Sequence, residues 1–295
     1  MNSKINEEEI VRAVLDVLKE MGSSGSGNLP AERSGADTPV DGEVPDITAT
    51  PEQELCLIER CARREELLEL KKRTPARTLT GRVGVRENTL TVLRKRANLA
   101  AMVDAVWEPL NREMAASFSY PILKSIPTSK EEYLMRPDLG RQLDEESLRI
   151  VRAELKKSPD VQIVIGEGQS NYAMECGMPE LLPALLQGLE ANRIDYGTPV
   201  FVEFTRVGIG DQIAKEVGAK AVCVVLGERP GLLTWRSLGC YITYQPEINI
   251  LESRRTVVSN IQDDGGTPPA EVGAYIADLI KRILQEKKSG VELIL

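Results

Sequence analysis

Histidine is absent from the 295 residues of this chain. The absence excludes Ser-His-Asp catalytic triads, a histidine general base and imidazole metal ligands. Any metal chemistry must therefore come from carboxylates, from thiols or from a cofactor that carries its own ligands.

Cysteine, basic charge and long apolar runs are also scarce. The cysteines are odd in number and contain no Cys-x-x-Cys pair, which predicts reduced thiols in a cytosolic protein and no zinc cluster. A net charge of −8 and a pI near 5.0 argue against nucleic-acid binding. No apolar run has membrane-spanning length, and the acidic N-terminus is unlike a signal peptide, so we expect a cytoplasmic protein. The five cysteines are Cys56, Cys61, Cys176, Cys223 and Cys240.

The first 51 residues divide into a short helix and a linker. Apolar residues from Ile10 to Met21 recur at helical spacing, Asn6 is suited to cap the helix, and Gly22 ends it. We assign residues 1–22 to this amphipathic helix, and 23–51, rich in Gly, Ser, Pro, Asp and Thr, to a flexible linker. So short a helix needs a partner surface, either the body of this protein or, as the long linker favours, an external one.

Residues 52–132 predict a mainly helical region. Apolar spacing indicates helices over 52–72 and 89–107, with a basic, glycine-punctuated stretch between them. That stretch is compatible with an anion or an acidic partner, or with an ordinary solvated face. Residues 119–134 mix strand-like and turn residues and fit neither pattern.

Strands and helices alternate over residues 133–295. Strands are predicted at 161–165, 200–204, 221–226 and 241–244, with 257–261 continuing the last one into a loop. Helices are predicted at 144–157, 178–192, 210–217 and 271–287. This alternation is typical of an α/β fold with a doubly wound, mostly parallel, Rossmann-like sheet.

Polar loops follow the predicted strands at 166–171, 205–211, 227–231 and 259–269. Parallel strands place their carboxyl ends at one edge, so we expect these loops to share a rim. Gly166-x-Gly168 lacks the third glycine of a dinucleotide fingerprint. Glu228 and Arg229 are either part of a site or a solvated turn. Four loops without a nucleophile–base pair indicate a surface for a large polar ligand.

Several segments closely resemble the small (light) subunit family of ethanolamine ammonia-lyase. The resemblance runs from about residue 73 to 290, in order and with similar spacing. The segments are Leu134-Met135-Arg136-Pro137-Asp138-Leu139-Gly140-Arg141, Asp211-Gln212-Ile213, Gly218-Ala219-Lys220, Val225-Leu226-Gly227-Glu228-Arg229-Pro230-Gly231-Leu232, Ser259-Asn260-Ile261 and Gly265-Gly266-Thr267-Pro268-Pro269.

The resemblance implies a role in the adenosylcobalamin-dependent conversion of ethanolamine to acetaldehyde and ammonia. It implies a TIM-barrel large subunit that holds the substrate, on which residues 52–132 would pack, and a hetero-oligomer of both chains. The cofactor-binding positions that it implies are Val207, Glu228 and Val258. Family members carry cysteine at the position matched to Val258, so a backbone contact would survive the change there and a thiol contact would not.

The residue chemistry agrees with these implied contacts. Glu228 can accept hydrogen bonds from the amides that edge a corrin, and Val207 can pack against an apolar edge. The cofactor supplies its own lower cobalt ligand and the radical chemistry, so we expect no catalytic residue and no metal ligand on this chain. The N-terminal helix resembles encapsulation signals of bacterial microcompartments, which predicts that location.

Two readings of other classes remain as alternatives. One is a stand-alone, Rossmann-like nucleotide- or sugar-phosphate-binding protein, which predicts a monomer that binds its ligand alone. The other is a structural adaptor of a shell compartment, which predicts that mutation of Glu228 changes nothing.

Overall fold

The computed structural model describes residues 46–74, 76–109 and 111–294. The chain divides into two units, residues 1–46 and 47–295, and the description below concerns the second. The helix predicted at 6–21 and most of the linker predicted at 23–51 lie outside the described residues. None of the described helices combines the length and apolar character needed to cross a membrane.

Six strands form one mixed sheet, in the order β3-β5-β4-β6-β7-β8. The pairs from β3 to β6 are parallel, and β7 and β8 are each antiparallel to the strand before them. The prediction of a mostly parallel sheet is thus confirmed. The strands are β1 (Arg82–Val83), β2 (Arg86–Glu87), β3 (Ile122–Lys124), β4 (Val161–Gly166), β5 (Val200–Glu203), β6 (Ala221–Gly227), β7 (Leu238–Tyr244) and β8 (Arg255–Ile261), of which β1 and β2 form a separate hairpin.

Helices cover both faces of the large sheet. On one face, α6 and α8 pack against Ile163, Cys223 and Val225; on the other, α5 and α7 pack against Val164 and Val222. This alternation buries both faces of β4 and β6, as central parallel strands require. The helices are α1 (Arg64–Lys71), α2 (Thr89–Trp107), α3 (Arg112–Ser117), α4 (Lys130–Met135), α5 (Glu145–Glu154), α6 (Asn171–Ala191), α7 (Ile209–Val217) and α8 (Pro269–Glu286).

The region predicted to be mainly helical departs from its pattern in two places. Only Arg64–Lys71 of the predicted 52–72 helix is helical, and a 3₁₀ turn forms at Glu52–Glu54. The chain doubles back there because the buried Lys71 ammonium donates to Glu52 Oε1 (3.1 Å) and to the Leu55 carbonyl (2.9 Å). Strand β3 forms one edge of the sheet. Helix α2 matches its predicted bounds.

Residues 257–261 belong to a separate antiparallel strand, and the prediction that they continue the preceding strand is wrong. Strand β8 begins at Arg255, whose buried guanidinium pairs with Asp211 on α7. A charged residue at a buried strand position breaks the apolar pattern by which strands are found. Two reversals, from β6 to β7 and from β7 to β8, give β8 the same direction as β6.

Helix α6 begins at Asn171, earlier than the predicted start at 178. The Ser170 hydroxyl accepts a hydrogen bond from the Ala173 amide and caps the helix. Pro179 and Pro183 lie inside it. Proline normally interrupts a helix, so the local sequence does not predict the full length of α6. Tertiary packing maintains the helix through both prolines.

Candidate functional site

The four predicted loops share one rim of the sheet. Strands β4, β5 and β6 are parallel and β8 runs with β6, so the carboxyl ends of all four lie at the same edge. The first and third loops touch: the Gln169 amide donates to the Gly227 carbonyl at 3.0 Å. Gly168 has φ +62°, and a Cβ built on it would lie 2.2 Å from the Gly227 oxygen. Glycine at 168 therefore permits this close approach.

A cavity of about 400 Å³ opens between the first three of these loops, at 166–171, 205–211 and 227–231. The chain goes from β4 to the neighbouring β5, then crosses to β6 on the other side of β4. The connections diverge between β4 and β6, and such switch points are where open α/β sheets bind ligands. The cavity is lined by Tyr133, Gly168, Gln169, Thr205, Arg206, Val207, Leu226, Gly227, Glu228, Arg229 and Tyr241.

Glu228 is a fixed, half-buried member of this lining. Its carboxylate accepts hydrogen bonds from the Ser237 hydroxyl, the Ser259 hydroxyl (2.7 Å) and the Asn260 amide (3.3 Å). These contacts tie the loop after β6 to the start of β7 and to the end of β8. Arg229 is exposed and makes no ion pair with Glu228. The alternative that these two charges pair with each other does not describe this loop. Glu228 is tied down by hydrogen bonds, whereas Arg229 is solvated, as the plain-turn alternative expects.

Val207 and Glu228 line the same cavity, and Val258 does not. Val207 is half-buried against the core between the sheet and α5 and α7. Val258 packs against the core on the α6 and α8 side. Its neighbour Val257 pairs across the strands with Tyr241, which lines the cavity. Side chains alternate between the faces of a strand, so Val257 presents its side chain to the cavity face.

Tyr133 and Arg206 are site residues that the sequence did not single out. Tyr133 is fully buried, and its hydroxyl lies 2.8 Å from the carbonyls of both Gly168 and Thr205. Burial raises the pKa of Tyr133, so this hydroxyl stays protonated as a donor. The Arg206 guanidinium lies 4.2 Å from the centre of the Tyr133 ring. The sequence feature that points to Arg206 is Gly140, in the segment that resembles the family. A side chain at this position would crowd Arg206, because a Cβ on Gly140 would lie 2.8 Å from Arg206 Cγ.

A buried ionic cluster holds the loop that carries Arg206 and Val207. The Glu167 carboxylate accepts from Lys130 Nζ (2.6 Å), Asn171 Nδ2 (3.1 Å) and the Phe204 amide (2.9 Å). Phe204 has φ +56°, a strained conformation for a residue with a side chain. Glu167 therefore stabilises the sharp turn at the end of β5, which aims the next residues at the cavity.

The segment Asp211-Gln212-Ile213 holds the fold rather than the cavity. Asp211 and Arg255 are buried, with Oδ1–Nη1 and Oδ2–Nη2 distances of 3.0 Å and 2.7 Å. Gln212 Oε1 accepts from the Leu143 amide at 2.8 Å, and Ile213 lies in the core. Asp211 thereby joins α7 to β8, and Gln212 joins α7 to the segment before α5.

The comparisons with known proteins give one family. A model described as "Ethanolamine ammonia-lyase light chain (EutC)" matches residues 64–294. The chain belongs to the ethanolamine ammonia-lyase light-chain family. It is 42% identical over 292 residues to the ethanolamine ammonia-lyase small subunit of Clostridium tetani, covering 98% of this chain and 99% of that protein. The small subunits of Fusobacterium nucleatum and Listeria monocytogenes serotype 4a are each 40% identical over 293 residues, covering 98% of this chain and 99% and 100% of theirs.

The segments that resembled this light-chain family fall into two groups in the structure. Gly227, Glu228 and Arg229 line the cavity, and Gly140 and Ser259 contact its lining residues. Asp211-Gln212-Ile213 connects elements of the core. Among the described residues, no group of three or more His, Cys, Asp or Glu side chains is arranged to hold a metal ion.

Proposed function

We propose that this chain is the small subunit of an adenosylcobalamin-dependent ethanolamine ammonia-lyase, which converts ethanolamine to acetaldehyde and ammonia. The large subunit holds the substrate, and this chain completes the cofactor site. The proposal rests on Val207 and Glu228, which line one cavity at the switch point of the mostly parallel sheet. The family assignment supplies the reaction class.

The cavity lining suits the rim of a corrinoid. Glu228 offers carboxylate oxygens to amide donors, and Val207, Leu226 and Tyr241 offer apolar contact. Gly168 and Gly227 allow the first and third loops to pack closely together and so shape this lining. When bound, adenosylcobalamin supplies the radical chemistry by homolysis of its cobalt–carbon bond. The residues of this chain bind and orient the cofactor and exclude water from one side.

A second protein surface is needed to complete the site. A cavity of about 400 Å³ suits a ligand of drug size, and a corrinoid is much larger. This chain therefore encloses only part of the cofactor, and the large subunit encloses the rest. The relatives' description as small subunits supports such a division.

On strand β8 we assign the cofactor contact to the backbone of Val258 and to the side chain of Val257. The Val258 side chain faces the α6 and α8 core, so a contact at this position is made by its backbone. The Val257 side chain is 48% exposed and lies on the face of Tyr241. It is the apolar side chain of β8 best placed to meet a ligand that extends beyond the cavity.

The large subunit binds an apolar stripe of α2 formed by Leu93, Val103 and Trp107. Each of these side chains is more than two-fifths exposed. They fall within about 80° of one another at 100° per residue, so they lie on one side of the helix. This stripe gives the predicted packing of residues 52–132 on the large subunit a specific surface.

Residues 6–21 target the enzyme to a bacterial microcompartment in this proposal. Amphipathic periodicity followed by a linker supports the role, since such a helix needs an external surface for its apolar stripe. A fusion of residues 1–30 to a fluorescent reporter should form foci in compartment-forming cells. A fusion that stays dispersed would refute the targeting role.

The test of function is cofactor binding by the assembled enzyme. The chain is co-purified with a candidate large subunit, and adenosylcobalamin affinity is measured for the wild type and for Glu228→Ala. We expect binding to need both chains and to weaken about tenfold in Glu228→Ala, because charge-assisted hydrogen bonds contribute about 1.5–3 kcal/mol.

The matched control is Glu286→Ala. Glu286 pairs with Arg282 in the last turn of α8, whose other end adjoins the rim, and its loss should leave affinity unchanged. Tight ligand binding by this chain alone, indifferent to Glu228, would refute the proposal in favour of a stand-alone binding protein.

A further inference from the structure

Arg206 is a cavity-lining guanidinium without a counter-ion in the part of the chain that the structure describes. Of its five N–H donors, one bonds to the Tyr133 carbonyl at 3.1 Å. Its Nε is buried and has no hydrogen-bond partner there. The nearby carboxylates are engaged elsewhere, Glu167 with Lys130 and Glu203 with Arg112. A half-buried cation in this state is stabilised by an anion that binds from outside.

The side chain is held in place rather than free to seek solvent. Its guanidinium stacks on the buried Tyr133 ring at 4.2 Å, and its stem packs against the bare Cα of Gly140. The Arg206 amide also donates to the Gly140 carbonyl at 2.9 Å. Little rotamer freedom remains to be lost on binding, so this guanidinium is pre-organised to present its planar fork.

Arg229 and two backbone amides next to Arg206 in the chain are further donors left unpaired among the described residues. Arg229 lines the cavity, is exposed and makes no ion pair among the described residues. The backbone amides of Val207 and Gly208, just ahead of α7, donate to no acceptor in the described chain. The N-terminus of a helix favours negative charge. In a chain of net charge −8, the charged residues of this cavity are two arginines and Glu228.

We propose that Arg206, assisted by Arg229 and the amides ahead of α7, binds the phosphodiester of the cofactor's nucleotide loop. This inference rests on the proposed function and adds an orientation to it. The phosphodiester would contact Arg206, and the corrin amides would contact Glu228. Arginine is the residue suited to this task, because its fork matches two phosphate oxygens at once.

The test compares two corrinoids on the complex of this chain with its large subunit. Cyanocobalamin carries the phosphodiester, and cobinamide has the same ring and amides without the nucleotide loop. Dissociation constants are measured by equilibrium dialysis and by the change in corrin absorbance. Arg206→Gln should weaken cyanocobalamin binding about tenfold to a hundredfold and leave cobinamide binding within about threefold of wild type.

Two further variants separate charge from geometry. Arg206→Lys keeps the charge but loses the planar fork of donors. Its affinity for cyanocobalamin should therefore lie between those of Arg206→Gln and the wild type. Arg236→Gln is the matched control, since Arg236 also lies over a tyrosine ring, that of Tyr172 at 5.4 Å, but does not line the cavity. Its affinities for both corrinoids should equal those of the wild type.

Other outcomes would overturn either the phosphodiester assignment or the proposed function. Equal weakening of both corrinoids by Arg206→Gln, or no weakening of either, overturns the phosphodiester assignment. Loss of the large subunit from both Arg206 variants overturns it too, because the anion would then be a carboxylate of the partner. Failure of the wild-type complex to bind cyanocobalamin refutes the proposed function itself.

Discussion

Breaking the buried ion pair between α7 and β8 should destabilise the fold far more than breaking an exposed pair on the same helix. Asp211 and Arg255 have side chains only 1% and 2% exposed, and two N–O contacts of 3.0 Å and 2.7 Å join them. Asp211→Asn leaves the guanidinium buried beside a neutral amide. Removing one partner of a buried pair costs about 3–5 kcal/mol.

The value should fall near the lower end of that range. Arg255 keeps its bond to Glu252 (2.7 Å) and its bond to the Thr243 hydroxyl (3.0 Å), so its charge is not left alone. The assay is urea unfolding followed by circular dichroism, with the free energy of unfolding taken from the midpoint and slope.

Glu216→Gln is the matched control. Glu216 also lies on α7 and also makes a two-contact pair with an arginine, Arg152, at 2.8 Å and 3.0 Å, but that arginine side chain is 57% exposed. Exposed pairs contribute little to stability, so the midpoint should barely move. Equal losses in Asp211→Asn and Glu216→Gln would refute the reasoning that burial decides the cost.

Two further predictions concern the rim. Gly168→Ala should lower the unfolding free energy by several kcal/mol and weaken cofactor binding, because its Cβ would lie 2.2 Å from the Gly227 oxygen. The control is Gly84→Ala, which has the same φ of +62° but no atom within 4 Å of its Cβ. It should lower the unfolding free energy only by the backbone strain of about 1 kcal/mol. Unfolding free energies from urea titration and cofactor affinities from dialysis that fall equally in the two variants would contradict the role of the 168–227 contact. Tyr133→Phe should cost about 1 kcal/mol at pH 7, since it removes the hydroxyl shared by the Gly168 and Thr205 carbonyls. Burial raises the pKa of Tyr133, so its contribution is complete below the unfolded pKa of about 10 and is lost as pH rises above it. The stability difference between wild type and variant should therefore narrow in alkali, and a constant difference would contradict this assignment.

The parts of the fold that follow local rules were predictable. Val161–Gly166 and Ala221–Gly227 are apolar runs that end at glycine, and they are the central strands. Helix α2 begins after the capping Asn88 and carries a regular apolar stripe, so its bounds follow from the sequence. The shared rim follows from strand direction. Glu228 was found because a charged, glycine-flanked loop ends a buried strand.

The parts that failed depend on partners distant in sequence. The predicted 52–72 helix is interrupted because Lys71 reaches back to Glu52 and Leu55. Strand β8 was obscured by Arg255, a charge that is tolerated in the sheet only because Asp211 meets it. Neither contact can be predicted from the spacing of apolar residues, because that spacing depends only on residues close together in the chain.

By itself, the sequence determined the α/β class, the mostly parallel sheet, the rim and the family, because periodicity, glycine placement and motif order are properties of short stretches. The tertiary structure alone decided which face of β8 carries Val258, and that Arg206 stacks on Tyr133 without a counter-ion among the described residues. Sheet order and side-chain packing bring together residues from separate segments. Local propensity does not predict these long-range contacts, because they depend on the free energy of the whole packed core.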